Sequence, residues 1–272
     1  MAEKSQPGRG EPVQRPPVQS IDRVLDIIEA LSACPRGAAL TDLAGSVNLH
    51  ISTVHRMLSA LISRGYAKKD PETGKYALTL RLFELGSRVA GSMDWAAAAR
   101  PQLERLARAT GETVHLVARD GDAVVYIYKQ SPADSILRAS SFVGLRNPMY
   151  CTGVGKSILA FLPPEEVKAI WARTPPVQFT PHTLTDPGRL YADLDIIRAR
   201  GWAVDEEEHE IGVVCVAAPV FSFDGTPVGA VSVAAPSARM GGEVRLRCAQ
   251  EVLDCARAVS ALLGAPPAEG KA

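Results

Sequence analysis

LTDLAGSVNLHISTVHRMLSALISRGYAKKDPETGKYAL, residues 40–78, is the stretch on which the fold turns. Leu40, Leu43, Ala44 and Val47 recur at helical spacing, with Thr41 expected as the N-cap of a short helix. A tight turn at Asn48-Leu49 leads into another helix from about His50 to Ile62, whose inward stripe is Val54, Met57, Leu58 and Leu61. Gly65 ends that helix. YAKK and KYAL then read as short extended runs, and DPETG between them has Pro early and Gly late, as a hairpin on a type I bend requires.

Upstream, Ser20 is expected to cap a first helix carrying Ile21, Val24, Leu25, Ile28 and Leu31 on one face and Asp22, Asp26 and Glu29 on the other. Three helices and a hairpin within residues 20–80 spell a winged helix-turn-helix. Residues 1–19 are polar and proline-rich and are expected to be a disordered tail.

Charge supports a nucleic-acid partner locally rather than globally. The chain has 30 basic and 30 acidic side chains, so its net charge says nothing of DNA or membrane. From Leu43 to Lys69, however, there is no Asp or Glu, while Arg56, Arg64, Lys68 and Lys69 are present. Such a stretch suits phosphate contacts, which are sequence-blind and salt-dependent. The outward positions Ser52, Thr53, His55, Arg56 and Ser59 can hydrogen-bond to base edges in a major groove, with Arg56 the strongest candidate for guanine or phosphate. Thr41 beside that helix, and Lys68, Lys69 and Lys75 on the wing, complete the expected contact set for a double-stranded operator.

Residues 81–108 return to a helical pattern, interrupted at Gly91 and Pro101, and read as a connecting helix. From 109 to 268 strands and helices mix. TVHLVA and AVVYIYK flank an Asp-Gly turn, and VVCVAAPVF and VGAVSVAA flank SFDGTP, so two hairpins are expected with helices near 154–162, 164–173, 187–199 and 243–263. The predicted class is α+β, with an antiparallel sheet and helices packed on it.

Within that region YCTGVGKSILA, residues 150–160, contains the Gly-Lys-Ser that ends a phosphate-cradling loop. The signature also needs a glycine five residues before Gly155, where Tyr150 stands, and a buried strand upstream, where Pro148 interrupts. A nucleotide site is therefore not expected.

Cys34, Cys151, Cys215, Cys248 and Cys255 are an odd number, widely spaced, and form neither a disulfide framework nor a zinc pattern. A cysteine-dependent enzyme using Cys151 or Cys215 with His209 as base is a weak alternative, because Asp205, Glu206, Glu207, Glu208 and Glu210 would raise a nearby thiol. The same acids with His209 and His182 could be imagined around a metal, but they read as a solvated loop; no metal and no cofactor are expected. No apolar signal segment opens the chain, and no run approaches the roughly 18 apolar residues of a membrane span. A cytoplasmic protein with no membrane partner is the expectation.

Residues 40–78 resemble the winged helix-turn-helix of the IclR-type (isocitrate lyase regulator) transcriptional regulators. GWAVDEEEHEIGVVCVAAPVFSFDGTPVGAVSVAAPSARM, residues 201–240, and CTGVGKSILAFLP, residues 151–163, resemble that family's effector-binding domain. The resemblance implies a GAF-like C-terminal domain sensing a small metabolite, often an organic or sugar acid. It also implies homodimers or tetramers built as dimers of dimers. By position it implies effector contacts at Thr152, Gly153, Asp205, Cys215 and Ser232. Ala234 departs from relatives that carry a second serine there, which points toward a larger or less polar acid. The alternative for this domain is an oligomerisation platform that binds no metabolite.

Overall fold

The computed structural model describes residues 18–91, 94–132 and 141–266. Of the expected tail, residues 1–17 lie outside the described residues. The chain divides between Ser92 and Met93 into two compact units.

The first unit carries α1 (Gln19–Ser32), α2 (Leu40–Ser46), α3 (Ile51–Ser63), β1 (Ala67–Lys69), β2 (Tyr76–Leu78) and α4 (Arg81–Gly91). Val54, Met57, Leu58 and Leu61 of α3 are buried, as their spacing requires, together with Leu43 and Ala44 of α2. The turn between α2 and α3 is made by Asn48, whose φ of 50° is tolerated because asparagine adopts the left-handed region more readily than most residues. β1 and β2 pair antiparallel, and the Asp70 carboxylate accepts from the Glu72 and Thr73 N–H groups at 2.9 and 2.8 Å to shape the turn.

Three expectations at the helix starts and faces change. The N-cap of α1 is Val18 rather than Ser20, and that of α2 is Ala39 rather than Thr41; neither makes a side-chain capping bond. The buried face of α1 is centred on Ile27 and Leu31, leaving Ile21 and Leu25 exposed. Spacing alone admits either neighbouring stripe on this helix; the packing of α2 and β2 against α1 decides between them.

The second unit contains α5 (Asp94–Thr110), β3 (Thr113–Asp120), β4 (Ala123–Gln130), β5 (Arg146–Pro148), α6 (Gly153–Leu159), α7 (Pro164–Arg173), α8 (Pro187–Arg200), β6 (Ala203–Glu206), β7 (Val213–Phe221), β8 (Pro227–Pro236) and α9 (Gly242–Leu262). The six strands form one antiparallel sheet in the order β5-β4-β3-β8-β7-β6. Pro148, the residue that argued against a central strand, lies on the edge strand β5.

Alternation along the strands sends side chains to two cores. Val114, Val216, Val231 and Val233 meet α5 and α9 on one face. Ala203, Ala217 and Ala230 face α6 and its neighbours on the other. Within the helical stretch 81–108, α4 ends at Gly91, where an interruption is expected, and Leu103 and Leu106 of α5 are core residues of the second unit. Pro101 lies inside α5 without ending it.

The turn between β5 and α6 folds back closely on the helix it precedes. A Cβ on Gly155 would lie 2.3 Å from both the Cα and the carbonyl oxygen of Met149. Backbone cannot yield as a flexible side chain can, so Gly155 serves packing here. We expect Gly155→Ala to destabilise the second unit by about 1–3 kcal/mol in urea denaturation, although alanine is the better helix former. A loss below the usual scatter of surface substitutions would remove this steric account.

Candidate functional sites

The exposed face of α3 is built by its own burial pattern. With Val54, Met57, Leu58 and Leu61 turned inward, Ser52, His55 and Arg56 are exposed and Thr53 is half-buried. His50 caps the helix: its Nδ1 accepts from the Ser52 N–H at 3.3 Å and lies 2.8 Å from the Ser52 hydroxyl. Arg56, Arg64, Lys68 and Lys75 form no ion pair among the described residues. Lys68, Lys69 and Lys75 are exposed on the wing, where the Lys69 ammonium lies 5.5 Å from the centre of the Tyr76 ring. Thr41 is exposed at the second position of α2, its hydroxyl turned toward Asp42 at 3.4 Å.

The other candidate site is a cavity of about 50 Å³ between the sheet and the start of α6. On a measure where one water needs about 10–15 Å³, it admits a molecule of a few heavy atoms. Thr152, Gly153, Asp205 and Cys215 line it together with His115, Tyr126, Asn147 and Ala234. The Thr152 hydroxyl is already occupied as the α6 N-cap, accepting from the Gly155 N–H at 3.1 Å.

Ser232, expected as a fifth contact, is not on this wall. Sheet register places Cys215 opposite Ala234, and Ser232 opposite Ala217. The Ser232 hydroxyl instead lies 3.4 Å from Nδ1 of His115, whose Nε2 is 2.9 Å from the Ser141 hydroxyl. The position without a hydroxyl, Ala234, is the one that faces the cavity.

His115 is missed by sequence reasoning because it sits in an ordinary-looking strand. Burial, helped by the Lys129 charge, depresses its pKa to about 3, so the ring is neutral at physiological pH. Burial and the nearby Asp205 push the Cys215 thiol up to about 12, and burial, Asp205 and Glu208 likewise raise Cys151. Neither is an activated nucleophile. Among the described residues no His, Cys, Asp or Glu cluster could hold a metal.

The Gly-Lys-Ser motif finds its physical role beside this cavity. Lys156 is 1% exposed, and its Nζ donates to Asp193 of α8 at 2.7 Å and to Glu208 of the β6–β7 loop at 2.5 Å. Burial alone lowers the ammonium pKa, but Glu208 and Asp193 outweigh it and the net shift is upward. Asp205 caps the same loop, accepting from the Glu208 N–H at 2.7 Å. Burial first, then the Glu208 charge, pushes Asp205 up to about 7. No phosphate can reach an ammonium so enclosed.

Comparison with known proteins covers both units. Residues 20–71 match the IclR helix-turn-helix domain, and residues 87–261 match the bacterial transcriptional regulator IclR C-terminal domain. The DNA-binding transcriptional repressor YiaJ of Escherichia coli K12 is 36% identical over 248 residues, spanning 90% of this chain and 88% of YiaJ. The crystal structure of the Thermotoga maritima IclR has 31% identity and a TM-score of 0.74, spanning 90% of this chain and 99% of that one. An IclR homologue from Microbacterium hydrocarbonoxydans, solved in complex with 4-hydroxybenzoate, shares the fold at 22% identity and a TM-score of 0.76, spanning 90% and 98%.

Two stability experiments follow from the buried charges. Lys156→Met leaves Glu208 without its cation, and we expect a loss of about 3–5 kcal/mol by chemical denaturation. Burial raises Asp205 from an ordinary carboxylate value of about 3.8 to about 7 in the folded state, so its contribution is fullest below the lower value and is lost as pH rises through the upper. Melting temperature should therefore fall between about pH 4 and 7 more steeply in the wild type than in Asp205→Asn. Parallel pH profiles would remove that assignment.

Proposed function

The chain belongs to the IclR family of bacterial transcriptional regulators, and on that premise we propose how its two candidate sites are used. It is a DNA-binding transcriptional regulator with a C-terminal effector domain, not an enzyme. The proposal concerns which residues act, on what, and in what assembly.

In this reading α3 enters the major groove of a double-stranded operator, with Arg56, His55, Thr53 and Ser52 toward base edges and Thr41 beside the backbone. Lys68, Lys69 and Lys75 of the wing lie along phosphates. The observation that carries it is the exposed face of α3, which presents polar and basic groups while its apolar residues are all turned into the core or toward the helix ends. Homodimers, alone or paired as tetramers, present two such helices to pseudo-palindromic half-sites in the cytoplasm.

The cavity takes a small organic acid as effector, contacted by Thr152, Gly153, Asp205 and Cys215, with Ser232 acting indirectly through His115. Its volume favours an acid of few heavy atoms over the larger one suggested by Ala234. Such a ligand changes operator affinity only to the extent that it binds the DNA-competent and incompetent states unequally. Buried polar groups and available space favour this over a purely oligomeric platform.

Arg56→Ala should weaken operator binding in a mobility-shift assay by roughly 10- to 100-fold while leaving the melting temperature unchanged. Lys68→Ala should lower affinity for all sequences alike and reduce the salt dependence by about one counterion. Undiminished binding by the arginine variant would dismiss α3 as the reading element.

A further inference from the structure

Thr180 and Thr183 are buried although they lie in an irregular segment, residues 174–186, that joins α7 to α8. A hydroxyl has one proton to donate and two lone pairs with which to accept. Thr183 Oγ1 donates to the Glu208 carbonyl at 2.6 Å and accepts from the N–H groups of Phe179 and Thr180 at 3.1 and 2.9 Å. Thr180 Oγ1 donates to the Glu207 carbonyl at 2.7 Å, with the Glu208 carbonyl 3.2 Å away, and accepts from the His182 N–H at 3.0 Å. Each threonine thus turns its lone pairs on its own segment and its proton on the β6–β7 loop.

That loop needs holding. Glu207 has a φ of 61°, a left-handed conformation that a residue other than glycine keeps only where its surroundings impose it. Its neighbour Glu208 is gripped from three directions: the carboxylate by Lys156, the N–H by Asp205 and the carbonyl by Thr183. Just beyond, the His209 ring lines the cavity and packs against the Phe179 ring, with centroids 4.9 Å apart. The same segment is also fastened to the chain before α6. The Tyr150 hydroxyl accepts from the Val177 N–H at 2.7 Å and donates to the Val177 carbonyl at 2.8 Å. Tyr150 leads into Thr152, Gly153 and Val154, which line the cavity as Asp205 and His209 do. Residues 177–183 therefore strap two wall segments together, and Pro175, Pro176 and Pro181, each with φ fixed by its ring, stiffen the strap.

We propose that Thr180 and Thr183 are positioning residues of the effector site: through the Glu207 and Glu208 carbonyls they hold the β6–β7 loop, and with it Asp205 and His209, against the cavity, and so govern how readily a small molecule enters and leaves. This rests on the cavity being the effector site. Neither threonine lines the cavity, so neither is a ligand contact; a substitution there reaches the ligand only through the loop. Thr183→Val keeps the shape of the side chain but leaves one carbonyl and two N–H groups without their partner. Thr183→Ser keeps all three hydrogen bonds and loses only a methyl group.

The full chain carries its own reporter and controls: Cys215 lines the cavity, whereas Cys248 and Cys255 lie in the core on the other face of the sheet. Methyl methanethiosulfonate, which caps a thiol as a methyl disulfide, is the probe, and mass spectrometry follows labelling at each cysteine. Thr183→Val should speed labelling of Cys215 roughly tenfold, the size expected of a lost buried hydrogen bond, with Cys248 and Cys255 unchanged. Thr183→Ser should label at the wild-type rate. General loosening would instead accelerate all three cysteines together; that result, or no acceleration at Cys215, overturns the inference and leaves the acid site standing. Should the valine variant not fold, hydrogen exchange of the wild type decides, because the N–H groups of Phe179, Thr180 and Glu208 should then open as one unit, and unrelated exchange overturns the inference. Calorimetry of the wild type with acetate, propionate and pyruvate tests the acid reading separately. Binding of none of them withdraws that reading, while the labelling contrast still decides the role of the threonines.

Discussion

The ammonium of Lys156 sits where α6, α8 and the β6–β7 loop converge, held by Asp193 and Glu208 in a place water scarcely reaches. A buried ion pair is seldom a net source of stability, because desolvation offsets most of the attraction. Its directionality matters more. Removing any one partner strands the others in a medium of low polarity, so three elements distant in sequence are held to a single arrangement. The cavity wall belongs to that arrangement: Asp205 accepts a hydrogen bond from the very residue that accepts from Lys156.

Around this charged knot the sheet is packed with alanine, valine and glycine. Ala217 and Ala230 on the strands and Gly153 on α6 let helix and sheet approach closely, while the opposite face carries valines against α5 and α9. The division of residue size between faces leaves the cavity on the face that meets α6. Register then selects what looks into it. Because neighbouring strand residues point to opposite faces, and because Cys215 pairs with Ala234, a thiol and a methyl group meet the cavity where a thiol and a hydroxyl could have met.

The first unit is governed by a different economy of charge. The chain as a whole is neutral, yet the segment from Leu43 to Lys69 has no carboxylate, and Arg56 and Arg64 are not neutralised by ion pairs among the described residues. Exposed cations without partners are fully available to a polyanion, and their attraction is screened by salt. The second unit buries Lys156 against Glu208 and Asp193; the first leaves Arg56 and Arg64 to the solvent.

The sequence by itself determined the winged helix-turn-helix, the two sheet hairpins and the long C-terminal helix. These depend on short-range physics: periods of 3.6 and 2, turn residues such as Asn48 and Gly74, and motif blocks whose residues lie close together in the chain. Tertiary structure alone decided that Lys156 pairs inward with Asp193 and Glu208, that Ser232 turns to His115, that Leu103 and Leu106 join the core of the second unit, and that Ile21 and Leu25 stay outside. Each of these is set by partners far away in sequence, through strand register, helix docking or the pairing of a buried charge, and no local pattern encodes which distant group a side chain will meet.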